Sequence, residues 1–583
     1  QGYTDELVVD TDDASCWGVG ADIHATTASF YSSISKKNNG FESQIASTVD
    51  NGDGTMSILL DKVATLPVIS EEENSDYAVD IALLSRNVVV KGESGEDKKG
   101  GYMQILHTSM IAQTIHGVEF RNMGRASEID KFPLQLLYSG NMEGTLIDRN
   151  SFRESNQRCI SVEGSSNVTI SHNTAYKNKG HCIYIGFESA SNLIANNLVS
   201  DTIDLSYSDR LSGDSDYDAC AFMNRYNPNH YVNNIAVAAE RHGFYFRNER
   251  DTRLEDETES SDSVRKLPLG TFSNNIAKSN KYSGMEFQYH ESDELVLLSN
   301  IKAIKNRYEG LYIYSSRNVT IHGALFADNT QRSVRVRWTD YLKIQDTVIS
   351  GIATETKELS KPPYFRKPCV DSDMIPPVGL QMPTGIQNWN ANDNIGSILT
   401  NVTFNDFDHS DECEASIPVG FFPEDNNNNH FDYLTMFESV TFNGYKIMDT
   451  LSSDAEGVKD IVINDIDGKS DPLGKASHGV LVNNLKRLRA FAGGTCTKHP
   501  SGVSYCPNTC YRTVTFMVDQ IASEDFDLRV TRTIDGQEII VPYSYKLDED
   551  AHKKLYYKNY RFFSVSLPEG SYTVDFLKDF QPA

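Results

Sequence analysis

The sequence predicts an all-β chain: a right-handed parallel β-helix followed by a small antiparallel β-sandwich. Three observations lead there. The first is a phrase that returns between about residues 140 and 345: a small residue, alternating apolar positions, a turn and an Asn-rich segment. It reads Cys159-Ile160-Ser161-Val162, Cys182-Ile183-Tyr184-Ile185, Cys220-Ala221-Phe222-Met223 and Gly243-Phe244-Tyr245-Phe246, then Gly284-Met285-Glu286-Phe287, Gly310-Leu311-Tyr312-Ile313 and Ser333-Val334-Arg335-Val336. Its intervals are 23, 38, 23, 41, 26 and 23 residues, a period that marks a solenoid whose units must stack to bury their apolar faces. The second observation is alternation within each unit, as in Val168-Thr169-Ile170, which is strand and not helix periodicity. The third is a change of pattern after Cys496, where longer alternating strands take over.

Each segment then follows in order. Residues 1–100 read as an N-terminal β-rich segment capping the solenoid, with a hairpin from Ile45 to Val49 and Met56 to Leu60 around the turn Asp50-Asn51-Gly52-Asp53-Gly54. Residues 101–490 read as the β-helix. The two long intervals come from polar insertions at 201–216 and 249–266, which are expected to be loops on one face. The pairs Asn196-Asn197, Asn233-Asn234 and Asn274-Asn275 are expected at turns, where Asn tolerates left-handed backbone and stacked amides satisfy one another. An Asn run at Asn426 to Asn429 reads as disordered. Residues 496–583 read as the sandwich, with strands at Arg512 to Val518, Phe526 to Thr533, Ile539 to Tyr545, Tyr560 to Val565 and Ser571 to Phe576. Leu567-Pro568-Glu569-Gly570 is read as a tight turn between the last two.

Composition narrows the function. The 583 residues carry 81 acidic and 54 basic side chains, a net charge of −27, with a mean hydropathy of −0.44. Nucleic acid is excluded as a partner because binding it needs clustered Lys and Arg, and no apolar run is long enough to span a membrane. The basic groupings Arg332/Arg335/Arg337, Arg225/Arg241 and Lys486/Arg487/Arg489 read as solvated ridges. The chain starts at Gln1 and not Met, which suggests a processed mature chain or a boundary within a longer one.

Nine cysteines are too few for a disulfide scaffold. Cys496, Cys506 and Cys510 cluster at the domain junction and are disulfide candidates; with His499 they lack the second spaced pair of a zinc site, so no metal is expected there. Cys159 and Cys182 hold equivalent places in successive units, as stacked thiols or as a bridge. Asn167, Asn318 and Asn401, each followed by Val-Thr, are glycosylation candidates. These features predict an extracellular or secreted protein.

The stretch Ala82-Leu83-Leu84-Ser85-Arg86-Asn87-Val88-Val89-Val90-Lys91-Gly92 resembles the cell-surface hyaluronidase family, which includes the cell migration-inducing and hyaluronan-binding protein, its transmembrane relative and the fibrocystin-like proteins. The resemblance runs on through Gly117 to Gly124, Gly180-His181-Cys182, Asn227-Pro228-Asn229, Leu267 to Gly270, Phe326 to Asn329 and Asp465-Ile466-Asp467-Gly468. It implies a shared fold, an extracellular setting and, for some members, hyaluronan depolymerisation. Where the family shows Pro-Ile-His-Phe-His, this chain has Pro133-Leu134-Gln135-Leu136-Leu137, and both histidines are replaced. His181, Asp465 and Asp467 are the polar anchors that remain, and they are the candidate catalytic residues. Asp465-x-Asp467-Gly468 leaves calcium open, although an EF-hand would place Ile463 first and no closing Glu follows; no other cofactor is expected.

The replaced histidines, the acidic surface and the sequons favour a structural or adhesive extracellular glycoprotein, self-associating as a matrix or filament protomer. The alternatives are a secreted polysaccharide-degrading enzyme, either a glycoside hydrolase or a lyase, and a non-catalytic glycan-binding module.

Overall fold

The computed structural model describes residues 4–27, 40–64, 79–93, 98–211, 216–248, 261–351, 378–381, 397–405, 407, 417–420, 433–443, 461–471, 473–482, 496–498, 503–519, 528–541, 545–546 and 560–577. The Asn426 to Asn429 run, His499, Lys486, Arg487, Arg489 and most of the 249–266 insertion lie outside these. The described chain is nearly all strand, with short helices at Thr11–Ala14 and Ser261–Arg265. It divides into two compact units, one of residues 1–314, 324–334 and 352–374, the other of 315–323, 335–351 and 375–583.

The first unit is a three-sided parallel β-helix. One face stacks Met103–Leu106, the start of Leu134–Asp148, the start of Ile160–Ser171, Ile183–Ile185, Cys220–Asn224, His242–Arg247, Met285–Gln288 and residues 311–314, each parallel to the next. A second face stacks Thr114–His116 with residues 146–148 and 169–171, then Leu193–Ala195, His230–Val232, Phe272–Ser273 and Val296–Ser299. The third runs from Val88–Lys91 through Val118–Arg121, Ser151–Arg153, Thr174–Tyr176, Leu198–Ser200, Ile235–Val237, Ile276–Lys278 and Lys302–Ile304 to Leu325–Ala327. Parallel stacking therefore starts at Val88, ahead of residue 101. Inward positions hold apolar rungs, including face-to-face pairs Phe222–Phe244 at 4.6 Å and Phe246–Phe287 at 4.9 Å between ring centres.

The Asn pairs divide their labour. Asn196, Asn233 and Asn274 adopt φ of 56°, 58° and 56°, the left-handed backbone that turns the corner. Asn197, Asn234 and Asn275 are buried and join Asn150 and Asn173 in one ladder. In each rung the backbone N–H and the Nδ2 of one Asn donate to the Oδ1 of the Asn in the next coil, at 3.1 and 3.0 Å for Asn197 onto Asn234. A second ladder runs Asn280–Asn306–Asn329. It explains the glycines that open the repeated phrase at 284 and 310. A Cβ on Gly284 would sit 2.6 Å from Asn306 Nδ2, and one on Gly310 would sit 2.7 Å from Asn329 Nδ2.

The N-terminal segment does not cap the end of the stack. It forms a five-stranded antiparallel sheet, Thr4–Asp10, Thr55–Ala64, Gly40–Asp50, Asp22–Thr26 and Ile81–Leu83 in spatial order, with the expected hairpin at 50–55. This sheet lies along the flank of the β-helix, against the stacked row Arg153, Tyr176, Ser200, Val237 and Lys278. Arg153, 2% exposed, binds Asp22 at 2.8 Å, Glu119 at 3.3 Å and Glu42. His24 stacks on Tyr176 at 3.9 Å, and its Nε2 meets Ser200 Oγ at 2.9 Å. Burial pushes the His24 pKa down to about 3, so the ring is neutral. Lys278 meets Asp80 at 2.5 Å. A polar flank row explains the sideways placement, since these charges need partners that an end cap would not supply.

In the second unit, residues 343–350, Ser397–Asn405, Tyr433–Glu438 and Ile461–Asp465 stack in parallel. The pattern then turns antiparallel through Gly479–Val482 and Ser504–Pro507. Two three-stranded antiparallel sheets follow. One pairs Tyr560–Pro568 with Tyr511–Asp519 and Tyr545–Lys546, and the other pairs Leu528–Arg532 with Glu538–Val541 and Tyr572–Phe576. The expected turn at 567–570 joins the last two strands, which lie in different sheets.

Candidate functional site

On the first face the outward row reads Gln135, Ser161, Tyr184, Met223, Tyr245, Glu286 and Tyr312, one residue per coil. Alternation sends these side chains away from the apolar interior, yet all but Tyr312 are buried, and Tyr184, Met223 and Tyr245 pack with Cys220 in a separate cluster. Both insertions adjoin strands of this face in the sequence: 201–216 precedes Cys220–Asn224, and 249–266 follows His242–Arg247. The replaced family position Gln135 lies on this row, bonded to Asp130 at 2.8 Å and to Gln104 at 3.1 Å.

Five coils further along, the same face gathers chemistry that the sequence reading passed over. Glu286 pairs with His242 Nδ1 at 3.1 Å and accepts from Gln288. Ser283 Oγ lies 3.3 Å from Glu286 and 3.1 Å from Glu309, so one hydroxyl bridges the two carboxyl groups. Arg332 holds Glu309 at 3.4 Å. Burial, seconded by the Glu309 charge, raises the Glu286 pKa against the pull of His242. Tyr245 lies beside it in the row, its ring 5.0 Å from that of His242, and Tyr282 stacks on Tyr308 at 4.9 Å nearby. A proton-retaining carboxyl, a second carboxylate held by an arginine, and an imidazole make a candidate acid–base centre. Spacing along the chain hid it, because its members come from three coils; the register of the repeated phrase was the usable signal.

The residues singled out from sequence fall in separate places. His181 is fully buried in the first unit, its Nδ1 3.2 Å from Cys220 Sγ and its Nε2 3.8 Å from Asp216. Asp465 and Asp467 share a turn of the second unit. Asp465 accepts from the Ser470 N–H at 2.8 Å and the Tyr505 hydroxyl at 3.3 Å, while Asp467 accepts from the Ser439 N–H at 2.9 Å and pairs with Lys469 at 3.3 Å. Burial, with the hydrogen-bonded Asp467 adding to it, pushes Asp465 up to about 6, and Asp467 is held low by its donors. No group of three or more metal-ligating side chains occurs among the described residues.

A raised folded pKa on an acid means that the native state holds the proton longer than the unfolded chain. The Asp465 contribution is therefore complete below about pH 4 and is lost as pH rises through 6. Asp465→Asn, which imitates the protonated form, should match wild type at low pH and exceed it near neutrality by roughly 1–3 kcal/mol. Denaturant midpoints of the two proteins across that window check this; parallel pH profiles would refute it.

Asn167, Asn318 and Asn401 occupy one structural position, a left-handed residue within a long bent strand, with φ of 63°, 54° and 53°. Cys159–Cys182 and Cys496–Cys506 are bridged. Cys510 is an exposed free thiol, because the backbone ladder sets Cys506 beside the strand Thr497–Lys498. Arg225 and Arg332 are buried and do not form a solvated ridge. Arg225 covers the Phe187 ring at 5.4 Å, and Arg241 pairs with Asp204 at 3.1 Å. No helix among the described residues is long and apolar enough to cross a membrane.

The stacked faces and the acid–base row define the class: a parallel β-helix protein with a polar cluster on one sheet. Residues 98–285 match the family model described as CEMIP beta-helix. The chain is 24% identical over 188 residues to Protein rliB of Dictyostelium discoideum, covering 31% of this chain and 15% of that protein. It is 23% identical over 253 residues to the Cell surface hyaluronidase of Danio rerio, covering 36% and 18% respectively. This β-helix is thus homologous to that of the cell-surface hyaluronidases, as the sequence resemblance implied, and it spans less than a fifth of either relative's length. Among solved structures, the A-module of the mannuronan C-5 epimerase AlgE4 of Azotobacter vinelandii covers 61% of this chain and 84% of its own at 13% identity, with a TM-score of 0.31.

Proposed function

We propose that this chain acts on an extracellular glycan at the outward face that carries Tyr245 and Glu286. The observation that carries the reading is Glu286, proton-retaining, paired with His242 and bridged through Ser283 to Glu309. Glycan cleavage by hydrolysis needs one protonated carboxyl and one carboxylate, and elimination needs a base beside a charge neutraliser. Glu286 supplies the acid, Glu309 the second carboxyl, and the half-buried, mutually stacked Tyr282 and Tyr308 a flat surface of the kind sugar rings pack against. The homologous relative named a cell surface hyaluronidase supports the glycan, and the two disulfides fit an extracellular setting. N-glycans at Asn167, Asn318 and Asn401 and a face-to-face packing of the two C-terminal sheets as a sandwich belong to the same reading.

The test is turnover of a panel of neutral and anionic glycans, read as new reducing or unsaturated ends, alongside retention in affinity electrophoresis. Glu286→Gln should lower turnover by at least about a hundredfold and keep retention. Retention without turnover in wild type would leave a glycan-binding module, and neither would refute the reading. Asp467→Asn is the companion: loss of turnover there would move the reaction to the 465–471 turn.

A structural role as a self-associating protomer is the second reading, favoured by one observation. Val88, Val89 and Leu106 are exposed on strands whose outer side has no partner among the described residues, an edge that invites strand addition. Ordered polymers in negative-stain images would support it, and a monodisperse monomer at high concentration would count against it.

A further inference from the structure

Three cysteines open successive coils. The Cys159 N–H donates to the Cys182 carbonyl at 2.8 Å, and the Cys182 N–H donates to the Cys220 carbonyl at 3.0 Å. The first two are bridged, with Cα atoms 4.6 Å apart, and Cys220 is a buried free thiol. Neighbouring strands lie about 4.8 Å apart, inside the Cα separation that a disulfide accepts. Cys182 has Cys159 in register on one side. On the other the register partner is Ala221, with Cys220 one residue before it, and that offset leaves the Cys182 and Cys220 Cα atoms roughly 6 Å apart, still within disulfide range.

The Cys220 thiol has company that a structural cysteine does not need. His181 Nδ1 lies 3.2 Å from its sulfur, and His181 Nε2 faces Asp216 Oδ1 at 3.8 Å. The other oxygen of Asp216 accepts from Gln157 Nε2 at 2.9 Å and the Leu211 N–H at 3.0 Å. Its Oδ1 is buried without a hydrogen-bond partner. Thiol, imidazole and carboxylate in line are the arrangement that activates a sulfur nucleophile. Burial, with the charges of Asp218, Glu286 and Asp216 adding to it, pushes the Cys220 thiol up, and the His181 imidazole at 3.2 Å is the neighbour placed to take its proton.

We propose that Cys220, His181 and Asp216 form an internal thiol–disulfide relay with the Cys159–Cys182 bridge. The Cys220 proton passes to His181 Nδ1, and the thiolate bonds to Cys182 Sγ. The Cys159–Cys182 bond breaks, and Cys159 leaves as a thiolate that takes the proton back. One disulfide and one thiol exist before and after, so no oxidant or reductant is consumed. The bridge moves by one coil, from 159–182 to 182–220. In its new place it closes the loop carrying the 201–216 insertion, which precedes a strand of the acid–base face in the sequence.

The experiment maps these three sulfurs in the intact protein. Samples held at mildly acidic to mildly alkaline pH are acid-quenched, denatured, alkylated with N-ethylmaleimide and digested without reduction for mass spectrometry. A Cys182–Cys220 peptide with alkylated Cys159 is expected. It should form faster as pH rises and at least about tenfold more slowly in Asp216→Asn. Alkylation of Cys220 alone at every pH and time overturns the proposal, and so does an exchange rate that Asp216→Asn leaves unchanged. Cys159→Ser held with oxidised glutathione provides a check independent of exchange rate. A Cys182–Cys220 bridge is expected, and free or glutathionylated thiols at both positions overturn the proposal.

Discussion

Arg153→Met should lower the stability of the first unit by about 3–5 kcal/mol and release the N-terminal sheet from the flank. The guanidinium is almost wholly buried and answers three carboxylates at once: Asp22 and Glu42 from the N-terminal sheet, and Glu119 from the preceding coil. Methionine fills much of the same volume, so packing alone would cost little. The loss comes from Glu119, 4% exposed, which is left charged without its partner. Two readouts separate the effects. The denaturant midpoint reports the whole cost, and limited proteolysis reports cleavage within residues 1–83 ahead of the β-helix. A variant that keeps the wild-type midpoint and cleavage pattern would mean that the ion cluster does not hold the sheet.

Asn233 and Asn234 are neighbours of the same type, and their alanine variants should diverge. Asn234→Ala strips acceptors from the Asn197 N–H and Nδ2, and donors from the Ile194 carbonyl and Asn275 Oδ1, all in buried surroundings. Each orphaned group costs about 1–3 kcal/mol, so a total of about 3 kcal/mol or more is expected even with some water entry. Asn233 uses its left-handed backbone and makes one exposed amide contact, with Asn196 at 3.1 Å. Asn233→Ala should cost about 1–2 kcal/mol, and Asn233→Gly close to nothing. Thermal or denaturant melts of the three variants decide it; equal losses at 233 and 234 would refute the division of labour.

Much of the β-helix was legible because its causes are local. Strand alternation, corner residues and the roughly 23-residue step are each written within one unit, and the N-terminal hairpin sits where its Asp-Asn-Gly turn demands. What escaped depends on which coil lies beside which. The flank position of the N-terminal sheet is set by Arg153, Tyr176, Ser200 and Lys278, residues spread over four coils whose alignment follows only from the exact register. The acid–base cluster was missed for the same reason. Gln135 and Leu137 stand where the family resemblance implies histidines, and the candidate acid–base residues His242, Glu286 and Glu309 lie further along the same face. The pairing of Cys496 with Cys506 and not Cys510 was likewise undecidable from spacing, since the hairpin register chose it.

The flank sheet also limits how this architecture can change over evolutionary time. Solenoids commonly lengthen or shorten by whole coils, because each unit meets only its neighbours. Here Asp22, His24 and Asp80 grip coils at Arg153, Tyr176 with Ser200, and Lys278. A coil gained or lost between 153 and 278 would put these contacts out of step by one strand spacing. That part of the chain is held to a fixed count, like a gauge clamped at both ends. Variation in repeat number among related chains should therefore fall outside residues 153–278.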